Sequence, residues 1–233
     1  MRLIFLFILI ASFLSCESDA QTQATTKTDN SKSMTTKYLA LGDSYTIGEA
    51  VEPSLNFPNQ LVDELRSRGG EISDPKIIAV TGWTTDELKK AIEEENPTSD
   101  YGFVTLLIGV NNQYRGYPFS QYEEEFTQLL NMAVEFASGD PSKVIVVSIP
   151  DYGVTPFASS SDTEKIAREL DQYNAYAKSQ ALEKGVSYVD ITAISRLAKF
   201  DQDLIASDKL HPSAKMYSLW VDAIAPTAFI KIN

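Results

Sequence analysis

Cysteine and histidine are almost missing from this sequence: each occurs once, as Cys16 and His211. A lone cysteine near the N-terminus leaves the folded part without an internal disulfide and without a thiolate nucleophile. A lone histidine excludes a zinc site built from several His and Cys ligands, although carboxylate-only sites stay open. Basic residues are also scarce. Twenty Lys and Arg stand against 32 Asp and Glu, a net charge of −12. Such a surface repels phosphate backbones, which argues against nucleic-acid binding. No Gly-x-Gly-x-x-Gly or phosphate loop occurs, so nothing supports a nucleotide or flavin binder. Long apolar runs are lacking too. The stretch from Leu3 to Ala11 falls short of the ~20 residues of a membrane-spanning helix.

That stretch instead has the marks of an address. It follows Met1-Arg2, with one positive charge, and leads into Ser12-Phe13-Leu14-Ser15-Cys16. A charged start, an apolar centre and a small boundary residue predict a signal peptide over residues 1–15. Cys16 after Leu14-Ser15 resembles the bacterial lipobox. The resemblance implies cleavage before Cys16, lipid attachment to it, and export to the cell envelope as a membrane-anchored lipoprotein, periplasmic or at the cell surface. Residues 16–36 are rich in Ser, Thr, Gln and Asp and carry almost no apolar side chains. They cannot bury enough surface to offset the entropy of ordering, so a flexible tether is expected.

The remaining residues, 37–233, suit one domain with a sizeable core. Short apolar, β-branched runs recur at Tyr38–Leu41, Lys76–Val80, Phe103–Ile108, Lys143–Ile149 and, more weakly, Val186–Asp190. Continuous runs of this kind predict strands covered on both faces. Between them, helical spacing predicts helices over Phe57–Arg68, Thr85–Glu95, Ser120–Ala137 and Thr163–Lys184. A last one is expected over Ser213 to Phe229, ended or kinked by Pro226. Strands alternating with helices indicate an α/β fold with a mainly parallel five-stranded sheet between two helical layers, a three-layer α/β/α sandwich.

In such a sheet, ligands bind beyond the carboxyl ends of the strands. The loop after the first strand holds Gly42-Asp43-Ser44. Ser44 there is either a helix cap or a nucleophile whose own amide helps to hold an oxyanion. The loop after the third strand holds Gly109-Val110-Asn111-Asn112, where an Asn amide either makes a turn or donates to a developing negative oxygen. Before the last helix stands Asp208-Lys209-Leu210-His211-Pro212. Asp and His three apart can join carboxylate to Nδ1, which leaves Nε2 free as a base.

Together these blocks resemble the SGNH/GDSL hydrolase family. Its first block matches Gly42-Asp43-Ser44, its third Gly109-Val110-Asn111-Asn112 and its fifth Asp208-Lys209-Leu210-His211-Pro212. Its second-block glycine matches Gly82, in Thr81-Gly82-Trp83. The resemblance implies the flavodoxin-like SGNH fold and a carboxylic ester hydrolase working through an acyl-enzyme on Ser44. It gives His211 the role of base and then acid, and Asp208 that of orienting it. Ser44, Gly82 and Asn111 become the oxyanion donors, with no metal and no organic cofactor. Asn112 stands where the family commonly has Asp, which suggests a tuned loop. Asp43, Trp83, Asn112 and Tyr114 are candidates for substrate contacts. Aromatic residues there would stack on sugars or line an acyl pocket, and the expected substrate is a small-molecule, lipid or glycan ester. Arg115 reads as a solvated loop charge. Two alternatives stay open: an acyltransferase using the same residues, and a non-catalytic lipoprotein that binds glycan or acyl groups.

Overall fold

The computed structural model describes residues 35–233. The expected signal peptide, Cys16 and almost all of the expected tether lie outside the described residues. The last tether position, Thr36, already belongs to the first strand, where it pairs with Ile72.

In chain order the main elements are β1 (Thr36–Gly42), α1 (Ser44–Ile47), α2 (Phe57–Ser67), β2 (Ile72–Ala79), α3 (Thr85–Glu95), β3 (Phe103–Leu107), α4 (Val110–Tyr114), α5 (Phe119–Phe136), β4 (Val144–Val147), α6 (Thr163–Glu183), β5 (Ser187–Val189), α7 (Thr192–Ser195) and α8 (Ala214–Ile232). The five strands form one sheet in the order β2-β1-β3-β4-β5, and every neighbouring pair is parallel. The central strands β3 and β4 are buried throughout, whereas the edge strands β2 and β5 are partly open. Continuous apolar runs belong in the first setting and mixed runs in the second. Pro75, which cannot donate to a ladder, sits on the edge strand β2.

Helix α2 packs on α8 against one face of the sheet, while α3, α5 and α6 pack in series on the other. The α5 residues Tyr122, Phe126, Leu129, Leu130, Ala133 and Phe136 are all buried, as helical spacing of the apolar positions demands. Trp220 of α8 is fully buried among the rings of Tyr45, Phe57 and Tyr217. That cluster fixes the last helix against the first turn of the domain.

One helix boundary differs from expectation by more than a residue. Helix α8 runs through Pro226 to Ile232. Proline there removes the bond to the Asp222 carbonyl and crowds it, at a typical cost of ~3 kcal/mol. Ile224, Ala225 and Ala228 are buried on either side of it, and their packing holds the helix together.

Candidate active site

The chain reverses direction of travel across the sheet between β1 and β3, so the crevice at their carboxyl ends is the favoured ligand position in this topology. The turn out of β1 is tight. A Cβ on Gly42 would stand 2.5 Å from the Leu107 carbonyl and 2.1 Å from the Thr46 hydroxyl, so only glycine fits. Asp43 caps α1 by accepting from the Tyr45 N–H at 3.0 Å. Ser44 is thereby the first residue of the helix, and no preceding turn uses its N–H.

The loop after β3 is shaped by a second obligatory glycine. Gly109 has φ 124°, and a Cβ on it would lie 2.4 Å from the Tyr122 ring. Beyond it Asn111 donates from Nδ2 to the Trp83 carbonyl at 2.9 Å. That bond fixes which end of the amide is nitrogen and leaves its second N–H for another acceptor. Gly82, after β2, has φ 90°. Its carbonyl accepts from Arg115 at 2.6 Å, and Arg115 also pairs with Glu87 at 3.3 Å. Arg115 is thus a clamp on the Gly82 loop rather than a free solvated charge.

The residues before α8 form a compact loop. Ala206 N–H donates to the His211 carbonyl at 2.8 Å, and Lys209 takes the left-handed conformation at φ 67°. Asp208 Oδ1 accepts from the N–H groups of Leu210 and His211, both at 3.0 Å. Its other oxygen meets His211 Nδ1 at 2.5 Å. Partial burial pushes the Asp208 carboxyl up. The ring of His211 and the two backbone N–H groups pull it down further, and the balance lies below the ordinary carboxylate value. A charged Asp208 holds the ring proton on Nδ1, leaving Nε2 as an acceptor. The ring itself is buried and rests against Tyr45 at 5.7 Å.

These loops close around a cavity of about 130 Å³ lined by Ser44, Gly82, Asn111 and His211. Its apolar remainder includes Val110, Phe157 and Leu210. Among the described residues no three carboxylate, imidazole or thiol groups converge as metal ligands would. Four residues expected at the substrate fall in different places. Tyr114 lines the cavity. Asn112 is fully buried and exchanges bonds with the Thr85 backbone and hydroxyl at 3.0 and 2.6 Å, tying α4 to α3. Asp43 is also sealed from solvent. Trp83 contributes its carbonyl to Asn111, while its side chain packs beside β2 and α3. Tyr152 and Phe157, which also line the cavity, escaped sequence reasoning. They follow β4, so the strand-end rule that singled out the other loops would have reached them.

A family model for GDSL-like lipase/acylhydrolases matches residues 40–219. The chain belongs to the GDSL-like lipase/acylhydrolase family. It is therefore, by class, a carboxylic ester hydrolase. Solved structures share its fold. An acetylxylan esterase from Geobacillus stearothermophilus superposes with a TM-score of 0.61 at 21% identity, over 83% of this chain and 94% of that one. A lipase/acylhydrolase from Enterococcus faecalis gives 0.63 at 19%, over 85% and 97%. The esterase EstA from Pseudoalteromonas sp. gives 0.59 at 17%, over 82% and 95%. No curated protein sequence matches this GDSL-like hydrolase.

Proposed function

We propose that the protein cleaves short acyl esters by a two-step transfer through Ser44. His211 Nε2 takes the proton from the Ser44 hydroxyl as Oγ bonds to the ester carbonyl carbon. The carbonyl oxygen becomes negative and accepts from the Ser44 N–H, the Gly82 N–H and the free amide hydrogen of Asn111. The C–O bond to the alcohol then breaks, and His211 returns the proton to that oxygen. Water repeats the sequence on the acyl-enzyme and releases the acid. Asp208 keeps the imidazole in one tautomer and stabilises its charged form.

The observation that carries this reading is His211, held by Asp208 at 2.5 Å, facing the same small cavity as Ser44. Short acyl groups are favoured by size: about 130 Å³ is well under the ~300 Å³ at which drug-sized sites begin. The test is hydrolysis of p-nitrophenyl acetate by the wild-type chain and by Ser44→Ala. Release of p-nitrophenol is expected from the first and is expected to fall to the rate of buffer in the second. Full activity in Ser44→Ala would reject the nucleophile.

A further inference from the structure

Next to the Ser44 cavity lies a larger hollow of about 580 Å³, within the ~300–1,000 Å³ range of small-molecule sites. It is bounded by α4, the start of α5 and the first half of α6. Tyr114 and Tyr152 line both hollows, and their rings meet edge to face at 5.9 Å. Tyr114 is 57% exposed, so its ring forms a sill over which one molecule can reach both spaces.

The wall of the larger hollow is polar and pre-arranged. The Tyr152 hydroxyl donates to Gln113 Oε1 at 3.0 Å, and Gln113 Nε2 donates to Glu169 at 2.8 Å. Lys165 stands 3.7 Å from the other Glu169 oxygen. Gln172 adds a further amide and Tyr117 a partly exposed ring, while Tyr173, buried against Tyr122 and Phe119, closes the floor. An acyl chain here would strip water from the amide, carboxylate and ammonium groups without replacing its hydrogen bonds. An anionic head group would face two carboxylates, Asp162 and Glu169, against the single ammonium of Lys165, which already pairs with Glu169, on a chain of net charge −12. A neutral sugar meets neither cost. Its hydroxyls both donate and accept, matching a row of amide, carboxylate and phenol, while its C–H faces pack on aromatic rings.

We propose that this hollow binds the neutral saccharide that carries the ester, while the acyl group occupies the cavity over Ser44. The proposal rests on reading Ser44 as the ester-cleaving residue, and it names the alcohol part of the substrate. Two measurements test it. The first compares kcat/KM for acetylated xylotetraose with that for p-nitrophenyl acetate, in the wild type and in Glu169→Ala/Gln172→Ala. The ratio is expected to fall by about tenfold, the size of one or two lost hydrogen bonds, and through KM rather than kcat. Gln172→Ala alone, on the exposed side of α6, is expected to shift it in the same direction and guards against misfolding of the pair. The second is calorimetry of xylotetraose, cellotetraose and chitotetraose with Ser44→Ala. Heat of binding is expected for at least one of them and is expected to weaken when the two cleft changes are added. An unchanged ratio, or no binding of any tetrasaccharide, overturns the proposal, as does displacement of the ligand from this hollow by dodecanoate. Calorimetry needs no turnover. If Ser44 is not the nucleophile, p-nitrophenyl acetate cleavage in Ser44→Ala reveals that separately.

Discussion

At Asp43 one carboxylate oxygen caps α1 while the other, fully buried, meets no partner. Burial pushes this carboxyl up to about 7, against the pull of the backbone N–H groups of Tyr45 and of Asp43 itself. In the unfolded chain it titrates near its ordinary 3.8. Between those two values the folded chain holds a proton that the unfolded chain has released. The contribution of Asp43 to stability is therefore complete below the lower value and is lost as pH rises to the higher one. Asp43→Asn keeps a good cap acceptor and removes the titration. Urea unfolding at about pH 5 and about pH 8 is expected to show the wild type losing stability relative to Asp43→Asn over that interval. Parallel behaviour of the two proteins would contradict burial as the cause. Asp43 also illustrates a limit of sequence reading. Its place beside Ser44 suggested a substrate contact, but neighbours in sequence on a sharp turn point in different directions, and Asp43 points inward.

Helix α8 continues through a proline. Pro226 interrupts its hydrogen-bond ladder, yet burial of Ile224, Ala225 and Ala228 carries it on to Ile232. Pro226→Ala restores the missing donor and relieves the clash, so a gain of ~1–3 kcal/mol is expected. Thermal unfolding should show a melting temperature several degrees higher. A lower one would mean that the proline ring itself is packed in a way alanine cannot replace. The long helices were legible because their apolar positions repeat on one face and their caps are local: Thr84 donates from its N–H to Glu87 at 2.9 Å at the start of α3. The short helix α4 was not. It has five residues, and it exists because Gly109 turns beneath Tyr122 and Asn112 bonds across to Thr85. Those partners are distant in sequence and leave no local pattern. The same holds for Arg115, whose carbonyl partner Gly82 lies on another strand-end loop.

Across the whole molecule, the parallel sheet is what brings the candidate catalytic groups together. Strands β1, β2 and β3 all end on one side of it, so the loops bearing Ser44, Gly82 and Asn111 meet there, and the loop before α8 brings His211 onto the same cavity. The motifs announced which residues to watch, but their convergence depends on sheet order, which the alternation of strands and helices implied only as a class. The depth of the cavity and the polar hollow beside it depend on side chains from α4, α5 and α6 that carry no motif. The central claim is that Ser44 is activated by His211. Intact-protein and peptide mass spectrometry after exposure to diethyl p-nitrophenyl phosphate tests it most directly. One diethylphosphoryl group is expected, bonded to Ser44 with loss of p-nitrophenolate, and its formation is expected to fail in His211→Ala. Labelling of a different residue, or equal labelling of Ser44 without the imidazole, would contradict the account.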